Sequence, residues 1–398
     1  MALSLLTPDS AFRQLWRRPR YPGFLFTVLL ARISGSMFNT AGVLLVLMRT
    51  HSAPLAGITA AAGVVPAALS GPFLGAWLDV ARRRRVLIVL DQLLSVAGLL
   101  AVVALAGNAP NWTVPAVTVV YSLTRPLSQG SFFSALADIA GAELLDQAST
   151  IEATSLNLAI IVGPAMAGAL AGVIGAAETV ELQAALTVVV AALVAVNPAF
   201  EARPVHRPAS MSHALRTGLH ALRRRRVLLA TSFSSSLAAF SWGLMLVGFP
   251  LYAVDMLHAA AHTSGYLWGA VAAGSILGTF LLHGPPGLRR VGFSYGILGL
   301  SALLWPLAGT LAAGIALIGL TGFLEGPAYS GTIALRQRHA PPTARAQVMT
   351  TVTSISQLTL SAGAALGGAI HDPTTLILMF VAVNLIAAAG AVSRGSLT

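Results

Sequence analysis

Long apolar runs alternate along the chain with short polar or arginine-rich breaks. A helix rises about 1.5 Å per residue, so roughly 20 mostly apolar residues cross the hydrocarbon layer of a bilayer. Runs of that kind at 22–48, 54–78, 86–107, 112–136, 148–173, 181–199, 227–253, 263–283, 291–307, 311–335, 346–370 and 374–393 predict twelve transmembrane helices, numbered here as spans 1 to 12. The longest polar break lies between Phe200 and Arg226. With Pro198, Pro204 and Pro208 ahead of an arginine run, it predicts a cytoplasmic linker at 200–226 between two six-helix bundles, 1–199 and 227–398. Leu215, Leu219 and Leu222 would lay a short amphipathic helix on the membrane surface. The expected fold is therefore all-α and membrane-embedded.

Composition agrees with that pattern. Of 398 residues, 56% are apolar and only 9% charged, a balance that water-soluble domains do not have. The net charge of +11 would suit a nucleic-acid partner, but its placement argues otherwise. All 24 basic residues are arginine, and all but Arg32, Arg49 and Arg125 fall on one side of the predicted membrane. The positive-inside rule makes that side cytoplasmic and puts both termini there, so the charge sets topology and nucleic acid is not an expected partner. The polar, charged leader from Met1 to Arg20 has no cleavage pattern, so span 1 is expected to anchor the chain uncleaved.

The absence of Lys and Cys removes several mechanisms. There is no P-loop lysine for ATP, no Schiff-base amine, and no disulfide, thiolate or Cys-ligated zinc. No His-Glu-x-x-His segment points to an intramembrane metalloenzyme. His206, His213 and His220 recur every seven residues, a spacing that does not converge metal ligands on a helix. No metal or cofactor is expected, and work would have to be driven by a gradient or a partner.

The two bundles repeat each other. Gly163-Pro164-Ala165-Met166-Ala167-Gly168 in span 5 aligns without a gap, 200 residues on, with Gly363-Ala364-Ala365-Leu366-Gly367-Gly368 in span 11, and Gln147 and Thr150 match Gln347 and Thr350. Pro126 in span 4 matches Pro327 in span 10, one residue out of that register. Tandem six-helix repeats are a transporter architecture with the substrate near the midplane between them. Small residues at the repeat let helix backbones approach closely, for sliding or for static packing.

On these features the chain resembles the major facilitator superfamily over essentially its full length, and within it the twelve-helix drug:proton antiporter type. Between spans 2 and 3, Gly75, Asp79, Arg83, Arg84 and Leu87 occupy the places of that family's cytoplasmic loop motif, while Trp77, Val80 and Arg82 depart from it. The resemblance gives Asp79 and its arginines a gating role, since charge-assisted pairs can hold one conformation and break in another. Gly163, Pro164 and Gly168 are similar to the family's antiporter motif, which implies export. Arg125-Pro-Leu-Ser-Gln129-Gly130 is similar to an Arg-x-x-Gln-Gly segment with one residue inserted. The second bundle lacks the loop motif: Gly274 and Gly278 recur, but His283, Arg289 and Arg290 replace the Asp-plus-Arg pattern.

Ionisable groups inside spans are expensive and so are candidates for function. Arg125 and Glu325 lie near the middle of spans 4 and 10 at equivalent places in the repeat, and the family fold would let them face each other across the substrate path. They are expected to pair, either as a charge pair exchanged during transport or as a permanent ion pair. Arg32, in the middle of span 1, adds a cation that could recognise an anionic or zwitterionic solute. Asp91 is expected to pair with the arginine-rich loop. Phe38, Asn39, Tyr121, Asn157, Trp242, Phe323, Tyr329 and Gln357 are candidates to line a mixed apolar and hydrogen-bonding cavity. The first reading is an exporter of small hydrophobic or amphiphilic compounds coupled to protons or another ion, monomeric and in the bacterial inner membrane. A facilitator or importer of a polar or anionic metabolite, and a non-transporting receptor on the same scaffold, are the alternatives.

Overall fold

The computed structural model describes residues 10–81, 83–201, 220, 222, 224–282, 284, 287–341 and 345–395, and every regular element among them is helical. Of the expected linker at 200–226, residues 202–219 with His206 and His213 lie outside the described residues, as do Arg82 and His283. A short α1 (Ser10–Arg17) precedes α2 (Tyr21–Thr50), which holds Pro22 in its first turn, where a missing N–H costs no hydrogen bond. It stops at His51, whose left-handed φ of 51° turns the chain while its N–H still reaches the Leu47 carbonyl. His258, with φ 50°, stands just beyond the end of α9 (Arg226–Asp255), the corresponding helix of the second repeat.

Span 2 is two helices, α3 (Ala53–Ala62) and α4 (Val65–Val80), and span 4 is likewise broken between α6 (Thr113–Ser122) and α7 (Arg125–Ile174). Proline is the cause in both. Pro66 cannot donate to the carbonyl four residues earlier, that of Ala62, and Pro126 cannot donate to that of Ser122. In lipid an orphaned carbonyl must find another donor. Ser122 Oγ donates to the Ala62 carbonyl at 2.8 Å and Ser70 Oγ to the Leu123 carbonyl at 2.6 Å, so the two breaks face and cap one another.

The loop expected between spans 4 and 5 is absent. In its place α7 kinks at Gly141, whose non-helical φ 65° and ψ 174° suit glycine and divide it into two helical stretches, one for each span. The remaining helices are α5 (Arg84–Leu105), which precedes α6 in the chain, and α8 (Ala176–Val196), then α9, α10 (Ser264–Leu281), α11 (Leu288–Ser301), α12 (Leu311–His339), α13 (Arg345–Ala369) and α14 (Pro373–Gly395). Eight of the described helical segments are by themselves long and apolar enough to cross a bilayer.

α2 packs on α7 and α8, and α9 repeats this on α13 and α14. In their most apolar stretches α9 is 72% buried and α5 only 33%, which makes α9 central and leaves Leu90, Leu93 and Leu100 of α5 outward-facing for lipid. The two repeats meet mainly where α7 packs on α10 and α3 on α13. One apolar core joins Leu44, Val46, Ala53 and Ala56 to Leu246, Val247 and Ala364 across that seam. These residues lie toward the turns that join α2 to α3, α7 to α8 and α13 to α14, so the bundle is closed at that end.

Candidate functional site

Arg125 begins α7 directly after the α6 break and reaches into the first repeat. Its Nη2 donates to the Gly35 carbonyl of α2 at 2.9 Å, and Nη1 to the Gly63 carbonyl, in the gap between α3 and α4, at 3.4 Å. No ion pair joins it to Glu325 among the described residues, so the expected pair is not formed in this conformation. Spacing put the two at equivalent depths; a carbonyl of α2 and one in the proline break between α3 and α4 claim the guanidinium instead.

Asp91 is buried on α5, away from the arginine-rich loop to which it was expected to pair. Ser128 Oγ and Gln92 Nε2 both donate to its Oδ2, Gln92 at 3.2 Å, and Arg125 is within electrostatic reach. Its Oδ1 has no hydrogen-bond partner among the described residues. The loop arginines bond elsewhere: Arg84 lies 3.8 Å from Asp138, and Arg85 2.6 Å from Glu201. Arg83 is exposed. The backbone at Gly75 and Asp79 is the end of α4, and the side-chain surroundings of Asp79 lie outside the described residues.

Arg32 forms the most enclosed ion pair in the described structure, with Glu152 of α7. Nη2 bonds to Glu152 Oε1, while Nη1 donates to the Glu152 carbonyl at 3.0 Å and to Ser155 Oγ at 2.7 Å. Sequence reasoning missed Glu152, although it lies inside predicted span 5 and the cost of an intramembrane charge applied to it equally.

In the second repeat Glu325 stands half-buried on α12. The indole of Trp242 is beside its carboxylate, without hydrogen-bond geometry, and Tyr329 is close enough to feel its charge. Trp242 packs edge-on against Phe249 and Phe380 and against Trp268 at 5.7 Å. Arg336, expected at the cytoplasmic face, is buried in α12, where Nη2 donates to the Thr231 carbonyl at 2.8 Å and to Ser235 Oγ. Of the other cavity candidates, Tyr121 is buried against Phe38, ring to ring at 5.6 Å, and serves the core; Asn39 is half-buried on α2. The side chain of Asn157 lies outside the described residues.

The glycines of the repeat have distinct partners. Gly163 abuts Ile33 and Ser36 of α2, and Gly363 abuts Phe240 and Gly243 of α9, each within its own repeat. Gly168 lies on Gly265 of α10, and Gly368 on Ala53 and Gly57 of α3, each across the seam. Pro164 stands between the two contacts of α7 and leaves the Ile160 carbonyl without its usual helical donor. Among the described residues no cluster of His, Cys, Asp or Glu could hold a metal ion.

Helices closed at one end over buried charges on both sides of a seam suit a multi-pass membrane transporter. The chain belongs to the Major Facilitator Superfamily, whose description it matches over residues 24–289. It is 27% identical over 390 residues to the uncharacterized MFS-type transporter y4rN of Sinorhizobium fredii, covering 95% of each chain. It is 28% identical over 384 residues to the Multidrug efflux pump Tap of Mycobacterium tuberculosis, covering 92% of this chain and 91% of that one. Among solved structures the nucleoside transporter NupG superposes with a TM-score of 0.69 at 14% identity, over 94% of this chain and 98% of NupG, a likeness of fold.

Proposed function

We propose that this transporter exports small hydrophobic or amphiphilic compounds across the bacterial cytoplasmic membrane in exchange for protons. On this reading it acts as a twelve-span monomer with both termini inside and with bundles 1–199 and 227–398 joined by the 200–226 linker. The observation that carries the reading is Glu325, a carboxylate with no ion pair among the described residues, set against the ring of Trp242. In so apolar a place a carboxyl group is stable when protonated or when paired with a cation, and the two exclude each other. Substrate binding and proton release then compete at one side chain, which is the requirement for exchange. The likeness to Tap and the Gly163 to Gly168 motif support the outward direction.

Arg125 would hold the first bundle's side of the path, with Asn39 and Tyr329 shaping it. Gly75, Asp79, Arg83 and Arg84 would latch the cytoplasmic end, while Gly168 would close the seam at the other, with Gly163 and Pro164 setting α7 against α2. Expression in a host stripped of its own exporters tests this. Wild type should lower the steady-state content of lipophilic dyes and Glu325→Gln should not; equal dye content in both, at equal membrane levels, would refute it.

A second reading, uptake of a polar or anionic metabolite, is favoured by Arg125, whose guanidinium is held by backbone carbonyls and has no ion-pair partner among the described residues. Saturable uptake of an anion that Arg125→Ala abolishes would establish it.

A further inference from the structure

We propose that Glu152 is a second proton-binding carboxylate, in the repeat opposite Glu325, and that its pairing with Arg32 holds the closed end of the bundle shut. The role in coupling rests on the antiport reading; the protonation itself does not.

The geometry of the pair is uneven. Arg32 reaches Oε1, while Glu152 Oε2 is buried with no hydrogen-bond partner among the described residues. A purely structural buried pair is expected to satisfy all its polar atoms, because desolvation otherwise outweighs the attraction. An empty oxygen is where a proton can be added. The guanidinium is prepared for that event, since two of its contacts, to the Glu152 carbonyl and Ser155 Oγ, go to neutral acceptors. When a proton binds Oε2 the carboxylate becomes a carboxylic acid, the charge-assisted bond to Nη2 weakens, and Arg32 keeps those neutral partners. No group other than the arriving proton is consumed.

The titratable groups that act on Glu152 among the described residues are Arg32 and Tyr21, both from α2; Tyr21 Oη is itself buried without a partner. The other helices on α7, namely α1, α4, α5, α8 and α10, bring no charged group to it among those residues.

The pair has leverage on the seam through α7. From Glu152 upward the same helix meets α2 three times, at Arg32, at Ser36 (Oγ to the Ala159 carbonyl, 2.7 Å) and at Gly163. It then meets α10 of the other repeat at Gly168 and Gly172. Fixing α7 to α2 fixes the surface on which α10 closes. The carboxylate form therefore supports closure, and the support is lost as pH falls and Glu152 takes up a proton.

The chain has no cysteine, so nitroxide pairs can be placed without background. Labels at Asn108→Cys and Gly309→Cys, exposed in loops of opposite repeats at the closed end, report its opening by pulsed electron resonance in liposomes. Acidification should populate a longer distance in wild type. Glu152→Gln should show that distance about tenfold more at neutral pH and lose the acid step, and Glu152→Asp should keep the step at a shifted midpoint. A Glu152→Gln profile that overlays wild type, or no acid step in wild type, would overturn the proposal. If Glu152→Gln folds poorly, Arg32→Gln/Glu152→Gln, which removes both charges, is read in its place against the same outcomes. A Glu152-dependent step without substrate-driven proton flux would retain this protonation site and reject the antiport reading.

Discussion

Gly168 touches the other repeat with backbone alone, and a single methyl group there tests whether the closed seam is held by that contact. A Cβ on Gly168 would stand 2.6 Å from Gly265 Cα and 2.7 Å from its carbonyl oxygen, and neither atom can rotate away as a side chain could. α7 and α10 would have to separate, a perturbation of the kind that costs about 1–3 kcal/mol in a packed core. Because the clash is between repeats, it exists only while this end is closed, so the cost appears as a shift toward the open form. At about 1.4 kcal/mol per decade that is roughly five- to 150-fold. The Asn108/Gly309 label pair reads the shift directly as a gain in the long-distance population for Gly168→Ala. Gly269, on the same helix as Gly265 but with open space where its Cβ would be, supplies the control: Gly269→Ala should leave the distribution unchanged. An unaltered distribution in Gly168→Ala, in correctly inserted protein, would refute the idea that the Gly168–Gly265 contact sets closure.

Two further outcomes concern the frame of the site. Ser122→Ala strands the carbonyl freed by Pro66 and should cost about 1 kcal/mol, while Arg125→Gln removes charge-assisted donors to two carbonyls at about 1.5–3 kcal/mol. Both are measured as midpoint losses in denaturation of the detergent-solubilised protein, and no loss for Ser122→Ala would contradict the capping account. At the start of α14, Asp372 accepts from the Thr374 and Thr375 N–H groups and from the Thr375 hydroxyl, which hold its carboxyl below the usual range. That cap is complete above the ordinary carboxylate pKa and is lost as pH falls through the depressed one, so Asp372→Ala should speed amide exchange in the first turn of α14 at neutral pH and match wild type in strong acid.

What could be read from the sequence depended on whether neighbours along the chain or across it decide the outcome. The glycine repeat was legible because close helix packing leaves few residue choices, and Gly163 and Gly363, then Gly168 and Gly368, do take corresponding partners. The breaks in spans 2 and 4 were visible in principle, four residues after each orphaned carbonyl, as Pro66 and Pro126. That the two breaks would cap each other depends on how α3 and α6 lie together, which periodicity does not encode. The same limit explains the charges. Depth along a span marked Arg125, Glu325 and Arg32, but partners depend on the rotation of each helix, so Arg125 bonds backbone, Asp91 sits with Ser128, and Arg32 found the overlooked Glu152. Gly141 replaced an expected loop because a single glycine at φ 65°, ψ 174° leaves the helical conformation and turns the chain.

The most direct test of proton-coupled export is substrate-driven proton movement in energised inside-out vesicles, across cationic, neutral and anionic compounds, comparing wild type with Glu325→Gln. The account predicts proton release from the acidified lumen when a transported compound is added, absent in the variant. No proton movement with any compound that the protein transports, or the same movement in both proteins, would contradict it.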